Sequence, residues 1–467
     1  MYVFKFLYQR RRSSKMNFRR IHWINRLSPV QILLLFYFIA VIVSTIVLAL
    51  PIAHQDGVDI PFIDILFTAV SALSVTGLST ITIANSLSTT GIILLAVILQ
   101  LGAVGVMAIG TFIWLLLGKK IGLKERRLIM TDQNQTTFEG MVHLIKQIIY
   151  VLFTIEFIGF IVLGTYFLQY FPTAKEAYLH GFFGTISAIS NGGFDITGQS
   201  LIVFKHDYFV QFVNMLLIIF GAIGFPVLIE VKKFIFAKSA EREHFRFSLF
   251  TKVTTSTFFI LIMIGTLFIY LLDSGNFFAD KAWHENLFYS LFQSVTTRSG
   301  GLSTMDVSLL TEQNHLFMSI LMFIGASPSS AGGGIRTTTF ALVVIFILTY
   351  ARGGERIRIF RREVYEEDLL KAVTVTLMAV ITVFSSVFLI SIIEPFTITQ
   401  LLFEVTSAFG TVGLSLGITS ELTSISKIIL MILMFIGRVG IITFLFMFKK
   451  NKKRGNYRYP KEKLIIG

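Results

Sequence analysis

Four times along this chain a membrane-length apolar run is followed by an apolar segment only half as long, and each short segment ends in a polar, glycine-containing loop. The short segments are Phe62–Val75, Ala177–Ile189, Trp283–Val295 and Thr399–Phe409, of 11 to 14 residues each. The loops read SALSVTGLST, ISAISNGGFDI, SVTTRSGGLST and TSAFGTVGLSL. A helix needs about 20 apolar residues to cross about 30 Å of hydrocarbon. Segments this short therefore enter and turn back.

The full spans between them include Ile32–Leu50, Gly91–Leu117, Val213–Ile229 with its flanks, Thr374–Ile393 and Ile428–Phe448. Of 467 residues, 54% are apolar and only 15% charged, too little charge for a soluble domain of this length. The fold class is an all-α polytopic membrane protein. The basic, then apolar, N-terminus is read as a retained first span, because Ile32–Leu50 is long and no cleavage site is evident.

The net charge of +14 could mark a nucleic-acid binder, but its placement points elsewhere. Of 41 Lys and Arg, 31 fall in five clusters, at 1–29, 118–127, 232–246, 351–363 and 449–463. The alternating connections 51–60, 171–180, 273–285 and 394–399 hold only Lys175 and Lys281. This positive-inside pattern predicts eight spans with both termini cytoplasmic, in the cytoplasmic membrane, surrounded by lipid and without nucleic acid. If the short segments crossed fully, the basic clusters would fall on both sides.

Aligned on Gly-Leu or Gly-Phe, the loops bring Gly77, Gly193, Gly301 and Gly413 into register at nearly even spacing. One such loop is a polar interhelical turn; four in register, each after a half-length helix, predict four alike units around an axis. The expected divisions are a basic segment 1–29, pore repeats 30–117, 118–235, 236–350 and 351–449, and a tail 450–467. Each repeat is span, pore helix, loop, span: eight transmembrane helices plus four re-entrant half-helices. Non-helical backbone at membrane depth must be buried in protein or line water. Such loops aim carbonyls inward, at Val75, Thr76, Gly77, Asn191, Gly192, Gly193, Ser299, Gly300, Gly301, Thr411, Val412 and Gly413. Each half-helix also points its negative C-terminal end at the axis. Together they suit a dehydrated monovalent cation. A divalent ion would want carboxylates, and these loops contain only Asp195.

The loops SVTGLS, SNGGFD, TTRSGGLS and GTVGLS, with the later MFIGRVG, resemble the Trk/Ktr/HKT superfamily of potassium transporters, of the KtrB membrane-subunit type. The likeness covers nearly the whole chain, including the final YPKEKLIIG. It implies potassium as substrate at the filter carbonyls, a homodimer, and a cytosolic nucleotide-binding ring of KtrA-type subunits with RCK domains. It also implies sodium stimulation in many members. Nucleotide would act only through that partner, and no cofactor is expected in this chain. Within the superfamily, Ser at the first filter position tends to favour sodium; here that position is Gly77.

The sixth span is interrupted by GASPSSAGGGIRTTT. Pro328 and the triplet Gly332, Gly333, Gly334 cannot sustain a helix. A structural kink is the simpler account. A gate below the filter, formed by Gly325, Ala326, Ser327, Pro328, Ser329, Ser330, Ala331 and the three glycines, is the functional one, and it matches the intramembrane loop of Ktr proteins. Arg438, deep in the last span, costs at least about 2.5 kcal/mol on insertion scales and so needs an interior partner. Carbonyls of the broken loop, as in the family, are the first candidate; Glu230 or Glu156 are the alternative. Arg298 and Glu404 are expected to pair beside the filter. Asp195 either concentrates cations at the mouth or braces its loop.

Enzyme chemistry finds no support. Eight histidines are scattered without metal spacing, there is no cysteine, and no Walker loop, GxGxxG after a strand, or nucleophile elbow occurs. The expected activity is gated potassium uptake. Alternatives are a sodium-coupled symporter, disfavoured because the four units run in one orientation rather than as inverted repeats, and the conducting subunit of a pumping ATPase, which is longer. Gly77→Ser should weaken discrimination of potassium over sodium, measured as competition in ion uptake; unchanged selectivity would remove Gly77 from the filter.

Overall fold

The computed structural model describes residues 28–105, 108, 141–354, 356–447, 460 and 462. The basic cluster 118–127, nearly all of the N-terminal segment 1–29 and nearly all of the tail 450–467 fall outside the described residues.

The first span of every repeat is one unbroken helix: Pro29–Leu48, Met141–Tyr166, Leu249–Leu272 and Glu366–Ser391. These are the four helices long and apolar enough to cross a membrane alone among the described residues. Local chemistry sets their starts. Ser28 and Gln31 form a reciprocal cap, with Pro29 in the first turn, and Ser248 accepts from the Thr251 N–H at 3.1 Å. The short helices are Phe62–Leu73, Ala174–Ile189, Trp283–Thr296 and Ile398–Gly410, within a few residues of expectation. Each packs against the first span of its own repeat.

The repeats close into a ring. The second span of the first repeat packs on the second short helix, that of the second on the third, that of the third on the fourth, and the last span returns to the first. A buried ion pair, Lys427 Nζ to Asp64 Oδ1 at 2.8 Å, fastens this closing contact.

The second spans differ from expectation. Only the third was read as broken, but among the described residues the second and fourth are broken as well. The first helix of this kind is Thr89–Val104, ending at Gly105. The second is Tyr208–Ala222 followed by Phe225–Phe236, bent by 107°. The third is Glu312–Phe323 and then Thr337–Ala351, and the fourth is Ser424–Val439 and then Ile441–Met447. Gly105, Gly224 and Gly440 share one conformation, φ 93°, 101° and 91° with ψ 134°, 129° and 140°. Only glycine reaches that region without strain. The sequence carried the signal as GAVG at 102–105, GAIG at 221–224 and GRVG at 437–440, with GASP at 325–328 in the third repeat.

The first glycine of each motif has a second use. A Cβ on Gly102, Gly221 or Gly437 would collide with the carbonyl of Leu73, Ile189 or Phe409, the residue four before Gly77, Gly193 or Gly413. The span thus lies against the end of its pore helix with no room for a side chain. Gly221→Ala should destabilise the protein by about 1–3 kcal/mol through overpacking, seen as a lower unfolding temperature in detergent. Gly184→Ala, in the second pore helix with open space around it, is the control and should not lower it.

Candidate functional site

Each pore helix ends in the same way. A non-glycine residue takes a left-handed conformation: Val75 (φ 57°), Asn191 (58°), Ser299 (78°) and Thr411 (48°). Two residues later comes a left-handed glycine: Gly77 (91°), Gly193 (65°), Gly301 (74°) and Gly413 (97°). In three repeats the helix closes by two backward hydrogen bonds, as in Val75 N–H to the Ala72 carbonyl (3.1 Å) and Thr76 N–H to the Ser71 carbonyl (2.8 Å). Gly192 and Val412 N–H donate likewise to Ser187 and Ser407 carbonyls at 2.8 and 2.9 Å. In the third repeat, Gly300 N–H reaches Thr296 at 2.7 Å. The middle N–H of every loop is thereby folded back onto its own helix. A left-handed β-branched residue such as Val75 is strained by roughly 1–2 kcal/mol, so the surrounding structure must hold it.

The four loops meet one another in cyclic order. A Cβ on Gly77 would come 2.5 Å from the Gly192 carbonyl oxygen, and one on Gly193 would lie 3.2 Å from that of Gly300. Those on Gly301 and Gly413 would strike the carbonyls of Val412 and Thr76. The predicted glycines thus form one ring, each beside the carbonyl preceding the next repeat's glycine. Hydroxyls brace the ring from behind: Ser187 donates to the Phe194 carbonyl and Thr296 to that of Leu302, both at 2.6 Å, and Ser299 donates across repeats to Thr411 at 2.6 Å.

Against this ring lies the non-helical stretch between Phe323 and Thr337. A Cβ on Gly332 would meet the Ser299 side chain, and one on Gly333 that of Thr411, so this stretch touches the third and fourth loops of the ring. Its other contacts reach the breaks of the second spans. Ser327 N–H donates to the Ala222 carbonyl and Ala331 N–H to that of Gly221, both at 3.0 Å. Gly334 N–H donates to the Gly437 carbonyl at 3.2 Å. In return, Phe225 N–H donates to Ser329 at 2.8 Å. Arg438 completes the set, giving Nη1 to the Ala331 carbonyl and Nη2 to the carbonyls of Gly102 and of Ala103 (2.9 Å). The broken segment and Arg438 therefore join the second spans of all four repeats.

The loop carbonyls do receive Arg438, whereas Glu156 accepts from Gln100 at 2.7 Å and Glu230 from the Ser248 N–H at 3.1 Å. The Arg298–Glu404 pair does not form. Glu404 instead caps its own loop, accepting from the Ser415 hydroxyl (2.5 Å), Leu416 N–H (3.0 Å) and Thr419 hydroxyl (2.9 Å). Fully buried Arg298 donates to the Leu321 carbonyl. Asp195 braces its loop, accepting from Thr197 N–H at 2.9 Å and Ser200 N–H at 2.8 Å. Sequence reasoning missed Arg336, which donates to the carbonyls of Gly332 and Ser327 and so secures the broken segment from its own far end.

The profile of the TrkH family, described as cation transport protein, matches residues 22–458. The Ktr system potassium uptake protein D of Bacillus subtilis strain 168 is 56% identical over 444 residues, spanning 95% of this chain and 98% of that protein. Ktr system potassium uptake protein B of the same organism is 35% identical over 454 residues, spanning 96% and 98%. In structure the chain is similar to the potassium transporter TrkH from Vibrio parahaemolyticus, with a TM-score of 0.70 over 91% of this chain and 86% of that one; at 18% identity this is a likeness of fold. The sequence motifs, the four-repeat ring and the match over nearly the full length agree: the chain belongs to the TrkH family of cation transport proteins.

Proposed function

We propose that this chain is the ion-translocating membrane subunit of a Ktr-type potassium uptake system. The observation that carries the reading is the cyclic contact of Gly77, Gly193, Gly301 and Gly413 with the carbonyls of Gly192, Gly300, Val412 and Thr76. A cation entering this ring exchanges hydration water for backbone carbonyls. Four helix C-termini add about half a negative charge each. The filter residues are those of 75–77, 191–193, 299–301 and 411–413, within repeats bounded at 30–117, 118–235, 236–350 and 351–449. Membrane potential drives the ion inward, at about 2.3 kcal/mol per charge per 100 mV.

The segment Gly325–Gly334 acts as the gate, with Arg438 as its latch. The hydrogen bonds to Gly221, Ala222 and Gly437 support this, because opening must break them and leave those carbonyls to water. The guanidinium of Arg438 beneath the ring also raises the barrier for a cation. A cytosolic nucleotide-binding ring of KtrA type would shift the equilibrium of this segment. The chain works as a homodimer in the cytoplasmic membrane with both termini cytoplasmic, and sodium stimulates uptake.

Rubidium uptake into potassium-loaded proteoliposomes is the first test. Uptake that follows the imposed membrane potential and is competed by external potassium supports the pore. Uptake in fixed ratio to a sodium gradient would assign a coupled symporter instead. Deleting Ser327–Gly334 should raise rubidium flux several-fold in the same assay and remove its dependence on the cytosolic partner. A deletion variant that elutes as a folded protein, with flux and regulation unchanged, would refute the gate.

A further inference from the structure

The link between the third and fourth repeats is a small hairpin, Arg358–Ile359 paired antiparallel with Arg362–Glu363. Its approach strand alternates. Ile357 and Ile359 are buried in one apolar cluster with Val253, whereas Arg356 and Arg358 are exposed. Leu249 and Phe346 pack against the same cluster. The two isoleucines thus dock the hairpin on the helices Leu249–Leu272 and Thr337–Ala351 and turn its arginines outward.

The turn itself is an unfavourable one. Phe360 and Arg361 both take left-handed conformations, φ 49° and 63°. A two-residue turn of this kind ordinarily carries asparagine and glycine. Here it presents a phenyl ring, 53% exposed, beside exposed Arg361 and Arg362. Residues 352–363 hold five arginines and two glutamates. Of those arginines only Arg356 meets a carboxylate among the described residues, Glu363 Oε1 at 3.8 Å.

The tip stands at the outer edge of the bundle. Lys252 Nζ lies 5.9 Å from the Phe360 ring centroid. Lys252, in the first turn of Leu249–Leu272, starts an exposed stripe at helical spacing with Ser256, Phe259, Met263 and Leu267. Exposed apolar side chains on a membrane-length helix face acyl chains, so Lys252 marks where that stripe reaches the headgroups. Tyr350 and Tyr365, 75% and 80% exposed, flank the hairpin as aromatic residues do at a membrane boundary. The carboxylates Glu366, Glu367 and Asp368 follow in the first turn of the next span, where the helix N-terminus favours them.

We propose that this hairpin and Lys252 bind the phosphate of an anionic phospholipid, whose acyl chains run along Phe259 and Met263. Guanidinium groups pair with phosphate oxygens two at a time, and Phe360 enters the boundary beside them. A soluble acidic partner would answer the arginines but not the apolar stripe that continues from Lys252. The site lies apart from the glycine ring and does not depend on how ions cross it.

The test places the full chain in phosphatidylcholine nanodiscs that contain either phosphatidylglycerol with a mid-chain diazirine or phosphatidylcholine with the same chains. After photolysis the anionic probe should label peptides containing Phe259 and Met263 at least about five-fold more than the zwitterionic one, the discrimination of one basic group at an anionic surface. Arg358→Gln with Arg361→Gln should remove that preference and leave labelling by the zwitterionic probe unchanged. Both side chains are exposed, so the fold tolerates the change. Lys233→Gln with Lys238→Gln, two exposed charges of the second repeat, is the charge-matched control and should keep the preference. Equal loss in both double variants would mean diffuse attraction to a basic face and overturn the proposal. So would equal labelling by the two probes, or displacement of the anionic probe by inorganic phosphate, which would make the ligand a soluble anion. A disulfide between copies in Met263→Cys, in a chain with no cysteine of its own, would put a second copy on the stripe and overturn it as well. Both leaflets carry the same lipid, so neither ion flux nor orientation enters the readout.

Discussion

At membrane depth every backbone N–H and carbonyl that leaves a helix must find a partner within the protein. The whole interior of this molecule is organised by that requirement. The first spans meet it by never leaving the helix. The short helices end inside the protein and meet it by folding the N–H groups of the loops that follow them back onto the last turn. That closure turns the middle N–H of each loop away from the neighbouring loops, where the carbonyl of the same residue stands. The arrangement that satisfies the helix end is thus the one that sets each of these carbonyls beside the next loop's glycine.

The second spans solve the same problem collectively. Their helices stop near one level and leave carbonyls unclaimed. The segment between Phe323 and Thr337 supplies N–H groups to Gly221, Ala222 and Gly437, while Arg438 supplies guanidinium N–H groups to Gly102 and Ala103. No repeat is self-sufficient at this level. The broken segment and Arg438 together are thus hydrogen-bonded to second spans of all four repeats at once.

Strain and close packing hold the ring. Val75, Asn191, Ser299 and Thr411 sit in left-handed conformations that cost free energy outside a constraining fold. The constraint comes from spans that lie against the pore-helix ends at Gly102, Gly221 and Gly437. Charged groups are placed for support. Asp64 with Lys427 closes the ring, Glu404 caps the fourth loop, and Asp195 fixes the second.

Read along the chain alone, the membrane class, four short helices, the register of Gly77, Gly193, Gly301 and Gly413, and the interruption at Gly325–Gly334 are all visible. These are legible because segment length, glycine and proline act locally. The helix ends at Gly105, Gly224 and Gly440 were hidden in plain hydropathy, because a Gly-x-x-Gly step inside an apolar run leaves the run apolar. Side-chain partners, by contrast, are set by the packing of distant segments. Arg298 and Glu404 both sit near the filter in sequence, yet each turns to nearby backbone instead: Arg298 to Leu321 and Glu404 to Leu416. Arg438 finds carbonyls from two other repeats, 107 and 336 residues away in the chain. Such partners follow from which surfaces the ring closure brings together, and nothing local in the chain encodes that.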